Sequence, residues 1–125
     1  MTRNELIEIL QSVGVPINEG ENTIDNAKVF PRITFFVYAI ENQMSSGSNY
    51  NDLLTYQISM FSKKPFLLTK EILQLRKAFQ KVGEYPMISS EYVEESGKDR
   101  KYWHFYFRIE VLDDLDAVLE GLENG

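Results

Sequence analysis

His104 is the single histidine of a 125-residue chain that has no cysteine, so acid–base chemistry near neutral pH would have to centre on it. Tyr106 and Arg108 follow at alternate positions, and in an extended backbone these three side chains fall on one side. A general base flanked by a phenol and a guanidinium would be the chemistry. A packing or interface histidine is the plainer alternative. Without cysteine there is no disulfide, thiolate nucleophile or sulfur-ligated metal. The sequence also has no Gly-rich phosphate loop, paired-His metal spacing or nucleophile elbow. Asp113, Asp114 and Asp116 lack the glycine and spacing of a calcium loop, and a solvated acidic face accounts for them as well. The expectation is no enzyme, no catalytic residue, no cofactor and no metal.

Charge is distributed unevenly along the chain. The formal net charge is -6, yet residues 63–81 hold six basic side chains against one acidic, whereas residues 112–125 hold five acidic and none basic. A globally acidic chain is a poor autonomous nucleic-acid binder, because that affinity comes from cations displacing counterions. Lys70, Lys77 and Lys81 could follow a phosphate backbone, or form the solvated side of an amphipathic helix. A third reading lets the acidic tail dock on the basic segment of the same chain or of a neighbour. No apolar run approaches the roughly 20 residues that span a bilayer, and nothing near the N-terminus resembles a signal peptide. A soluble chain made in a cytoplasm, with no membrane contact, is expected.

The elements that must position these residues start from the stretch 100–111. Trp103, Phe105, Phe107, Ile109 and Val111 alternate with Tyr102, His104, Tyr106, Arg108 and Glu110, a strand with two different faces. The first face is the aromatic floor of a core. Upstream, Thr2 followed by Glu5 reads as a capping box for a helix through Leu6, Leu10 and Val13, ended by Gly14. Residues 15–31 read as a surface loop. Pro31 then introduces a strand with Ile33, Phe35, Val37 and Ala39 on one side and Thr34, Phe36, Tyr38 and Ile40 on the other. Glu41, Asn42, Gln43, Met44, Ser45, Ser46, Gly47, Ser48 and Asn49 have the composition of a polar connection. A second strand covers about 53–62, making a hairpin with a long tip. Thr69 is the N-cap of a helix to Val82, stopped at Gly83, with Leu68, Ile72, Leu75, Phe79 and Val82 on its apolar arc. Residues 87–94 form an irregular edge strand, and 95–99 turn back into the aromatic strand. After Val111, the tail 112–125 is compatible with an acidic amphipathic helix.

These elements predict an α+β fold: a mainly antiparallel four-stranded sheet packed by helices on one face, in α-β-β-α-β-β order, with a single domain over 1–111. The outer face would carry Phe36, Tyr38, Tyr102, His104 and Tyr106 among hydroxyls and amides, the aromatic-rich, charge-poor composition of an interface. Either a partner covers it or the first or last helix does.

This layout resembles the tail-completion proteins of long-tailed bacteriophages, also called tail terminators or tail-to-head joining proteins. The likeness lies in a helix before the first strand, Arg32 to Ile40 ahead of a polar loop, and the strand Leu54-Thr55-Tyr56-Gln57-Ile58-Ser59-Met60-Phe61-Ser62 ending in Lys63-Lys64. An amphipathic helix, an acidic hairpin and an aromatic last strand follow. The resemblance covers about residues 3–111; the acidic tail departs from it. It implies a virion structural protein that caps the tail tube as a ring, a hexamer, and meets the tail-tube protein and the head connector. DNA would pass through the lumen without specific binding, and assembly would take place in the host cytoplasm. Phe36, Tyr38, Tyr102, His104 and Tyr106 are then expected at the subunit interface and residues 41–49 in partner docking. The alternative is a non-enzymatic α+β interaction domain that oligomerises through its sheet.

Overall fold

The computed structural model describes residues 1–20, 29–42, 52–95 and 100–124. Helix α1 (Arg3–Ser12) begins where the sequence places it. The Thr2 oxygen accepts from the Glu5 amide at 3.3 Å, its hydroxyl meets the Glu5 carboxylate, and Leu6 and Leu10 are buried. Gly14, at φ +83°, turns the chain out of the helix in a conformation that costs only glycine nothing. The next segment is not simply a loop. Residues Ile17–Glu19 form strand β1, parallel to β2 (Arg32–Asn42), with Ile17 opposite Ile33 and Glu19 opposite Phe35. Three residues are too few for a period-2 pattern to register, which hides this strand from sequence reading.

Strand β3 (Asp52–Ser62) pairs antiparallel with β2 on one side and with β5 (Arg100–Asp113) on the other; β4 (Ser89–Glu95) closes the far edge. The sheet order is β1-β2-β3-β5-β4, so the sheet is five-stranded and mixed where four antiparallel strands are predicted. Glu41 and Asn42 belong to β2, opposite Leu53 and Asp52, not to a connecting loop. Gln43, Met44, Ser45, Ser46, Gly47, Ser48 and Asn49 lie outside the described residues.

A bulge between Val37 and Ala39 leaves Tyr38 without an opposite residue, and this corrects the predicted faces of β2. One extra residue shifts the pleat by one position, so every side chain beyond it changes sides. Ile40 comes opposite Leu54, on the helix side of the sheet, and is 61% exposed; Ala39 moves to the outer side opposite Thr55.

Helix α2 (Lys70–Gln80) is capped by the Thr69 oxygen, which accepts from the Ile72 amide. Its Ile72, Leu75 and Phe79 join Leu6 and Leu10 over Phe35, Tyr56, Ile58, Phe105, Phe107 and Val111, and Phe79 meets Phe107 edge to face with centroids 5.4 Å apart. Leu68 and Val82, predicted on the same buried arc, lie beyond the helix ends and are exposed. Helix α3 (Leu115–Asn124) is capped by the Asp114 carboxylate, which accepts from the Asp116 and Ala117 amides, and it packs Leu115 against the core. All three helices thus address one face of the sheet.

Candidate functional site

The other face is built by register. Facing residues of antiparallel strands share a side, so the pairing sets out three rows: Arg32, Phe61, His104 and Glu91; Thr34, Ser59, Tyr106 and Ser89; Phe36, Gln57 and Arg108. Strand β3 lies in the middle and carries Phe61, Ser59 and Gln57 along the centre of the site.

The first row is a stack. The Arg32 guanidinium lies 4.4 Å from the Phe61 centroid, and the Phe61 ring lies 4.9 Å from the His104 ring at 12°. Tyr102 meets Phe61 edge on at 5.6 Å and Phe30 at 5.5 Å, while Lys63 sits over Phe30 and donates to the Lys101 carbonyl. Arg32, 3% exposed, also donates to the Val29 carbonyl at 2.9 Å. This end of the face is closed by its own aromatic rings, and Tyr102 is buried there, under Phe30 and Phe61 and not under a helix.

The opposite end is open. Phe36 is 38% exposed and Tyr38 46%, and the Arg108 guanidinium lies 4.6 Å from the Tyr38 centroid. Tyr106 and His104 are half-buried between the two ends, their rings 5.0 Å apart. A hollow of about 550 Å³ lies over the middle, lined by Gly20, Thr34, Phe36, Gln57, Ser59, Phe61 and His104. Gln57 and Arg108 carry the surface on to Met87 and Tyr85, two further exposed apolar side chains. Four of the five predicted interface residues therefore line one accessible tract, and Tyr102 supports it from beneath.

His104 is fully engaged. Its Nδ1 lies 2.9 Å from Glu91 Oε1 and its Nε2 2.7 Å from Ser59 Oγ. Hydroxyl, imidazole and carboxylate stand in the order of a nucleophilic triad. Acyl transfer also requires donors aimed at a developing oxyanion. Ser59 is 3% exposed on the central strand, whose amides are committed to ladders on both sides, and Gln57 Nε2 approaches its oxygen at 3.4 Å. The arrangement fixes the imidazole plane across three strands. Sequence reading missed Arg32, Glu91 and the part played by Ser59. Their signal is the pairing itself, which places Glu91 and Phe61 opposite His104 and is invisible until register is known.

No family model matches this sequence, and no curated protein does either. Among solved structures, the chain is similar to the sheath/tube terminator of an extracellular contractile injection system, PVC, in its extended state. The TM-score is 0.46 at 11% sequence identity, over 91% of this chain and 57% of that one. The chain thus spans little more than half the length of that neighbour.

Proposed function

We propose that the chain is a non-enzymatic virion structural protein that forms a ring of six subunits at the end of a tail tube, ends tube growth and joins tail to head. One observation carries this reading: the sheet face opposite the helices presents Phe36, Tyr38 and Tyr106 with Arg108, an aromatic and arginine tract of the composition that anchors protein interfaces. Its closed end, from Phe30 to His104, keeps that tract rigid, so little side-chain entropy is lost on docking. The order of elements and the Lys63-Lys64 end of β3 support the same reading through their likeness to tail-completion proteins. The tube protein and the head connector are its partners. A net charge of -6 lets DNA pass the lumen without sticking. The assembled ring sits in the virion between tail and head, after assembly in the host cytoplasm.

The test is light scattering on the purified chain, alone and mixed with the tube protein of its particle, with tube length followed by electron microscopy. A closed oligomer bound at tube ends, with tubes of limited length, is expected. A chain that stays monomeric, or a fixed dimer that ignores the tube protein, would overturn the proposal.

A further inference from the structure

Helix α3 is anchored at its start, and Val118 in its middle is partly buried where Ala117, Val118 and Gly121 share a hollow with Arg3 and Asn4. Leu115 packs on the core, the Arg3 amide donates to Asp113 at 3.0 Å, and the Leu112 amide donates to the Met1 carbonyl at 3.1 Å. Leu119 and Leu122 continue the stripe of Leu115 four and seven residues on, the spacing of one helical face, yet they are 53% and 75% exposed. Asp116, Glu120 and Glu123 flank that stripe, and the last turn has no basic residue. Carboxylates at a helix C-terminus face the negative end of the dipole, so this end of α3 is electrostatically uncompensated within its own helix.

The outward side of α2 has the converse character. Leu73, 45% exposed, lies three residues after Lys70 and four before Lys77, hence on the same side as both, and Arg76 adjoins it. Phe66 and Leu68, just ahead of the helix, are 55% and 79% exposed. Lys70 occupies the first helical position, where the dipole disfavours a cation. Leucines edged by carboxylates on one helix thus match apolar residues edged by cations on the other. They do not cover each other within one chain, since both stripes are exposed. Helix α1 has α3 beside Arg3 and Asn4, and the end of α2, at Ala78 and Val82, beside Ile9 and Ser12.

We infer that α3 of one copy docks on the outward side of α2, around Leu73, in the next copy. The two patches differ, so the contact is heterologous and propagates head to tail, closing a ring when the rotation allows. The inference rests on the ring proposed above and adds to it a second, salt-sensitive contact between neighbouring subunits.

Because the full chain has no cysteine, an introduced pair is unambiguous. Leu122→Cys and Leu73→Cys chains carrying different tags are mixed under assembly conditions and oxidised. A mixed disulfide between the two chains is expected, with a ladder of multimers from the chain that carries both substitutions. In parallel, Glu120→Lys/Glu123→Lys should weaken self-association by about tenfold or more at low salt, and mixing it with Lys70→Glu/Lys77→Glu should restore most of the loss. All four positions are exposed and the reversals at Glu120, Glu123 and Lys70 suit the helix dipoles, so circular dichroism melts are not lowered. Oligomers of normal size that neither cross-link nor respond to these charges overturn the docking and leave the ring standing, as does a disulfide formed only within one chain. Monomers under every condition, tube protein included, overturn both.

Discussion

Replacing Phe61 with leucine isolates what the aromatic rings of the outer face contribute. Leucine keeps most of the apolar volume, so the transfer contribution nearly cancels. Lost are the stack on His104, the edge contact with Tyr102 and the Arg32 guanidinium 4.4 Å from the ring centroid. Ring pairs contribute about 0.5–1.5 kcal/mol each, and a cation over a ring about 2 kcal/mol when desolvated, as Arg32 is at 3% exposure. The contributions share one ring and are not additive, which brings the expected loss to about 2–3 kcal/mol. At a urea slope of about 1–3 kcal/mol per molar, the unfolding midpoint falls by roughly 1 M or more. The assay is urea unfolding of wild type, Phe61→Leu, Arg32→Met and the double variant. The bond from Arg32 to the Val29 carbonyl is lost in both arms of the cycle and cancels. A coupling of about 1 kcal/mol is expected between the two positions. A single-variant loss under about 0.5 kcal/mol with no coupling would refute the argument that this end of the face is a rigid platform.

Tyr38→Glu combined with Tyr106→Glu should abolish assembly in light scattering while the chain stays folded, at a loss of about 1–2 kcal/mol for the ring contacts with Arg108 and His104. Phe79→Ala opens the sealed core under α2 and should cost about 3–5 kcal/mol in chemical unfolding. Burial raises the Tyr56 phenol above its ordinary 10.0, with Glu19 and Asp113 adding to the rise and Arg3 opposing it. The folded state therefore favours the neutral phenol: the stability from this group is whole below pH 10.0 and is lost as pH rises from there through the folded value. Tyr56→Phe should flatten that alkaline decline in pH-dependent unfolding. Thr69→Ala removes the cap from α2 and should cost about 1 kcal/mol by the same measurement.

Local chemistry made several elements readable from residue order. The Thr2 and Thr69 caps, the glycine stops and the spacing of Ile72, Leu75 and Phe79 depend on neighbours a few residues apart, and the structure places each where that chemistry requires, whereas Leu68 and Val82 fall outside the helix and are exposed. The alternation of 100–111 likewise separated a core face from an outer one: Phe105, Phe107, Ile109 and Val111 are buried with α1 and α2. Features that depend on distant partners were not readable. Strand β1 exists because Ile17–Glu19 finds the free edge of β2, and the three residues show no pattern of their own. The bulge at Tyr38 is defined only by what β3 fails to place opposite it.

Residue types and their spacing alone determined the fold class, the helix limits to within a few residues and the presence of an aromatic second face, because period and capping are properties of one segment. Tertiary structure decided which members of that face are open. Tyr102 and Tyr106 share one strand and one side, yet Phe30 and Phe61 bury the first while the second stays half-exposed beside His104. The cause is register. It joined Arg32, Phe61, His104 and Glu91 from four strands into one row, and no single segment encodes which residue another strand will set opposite it.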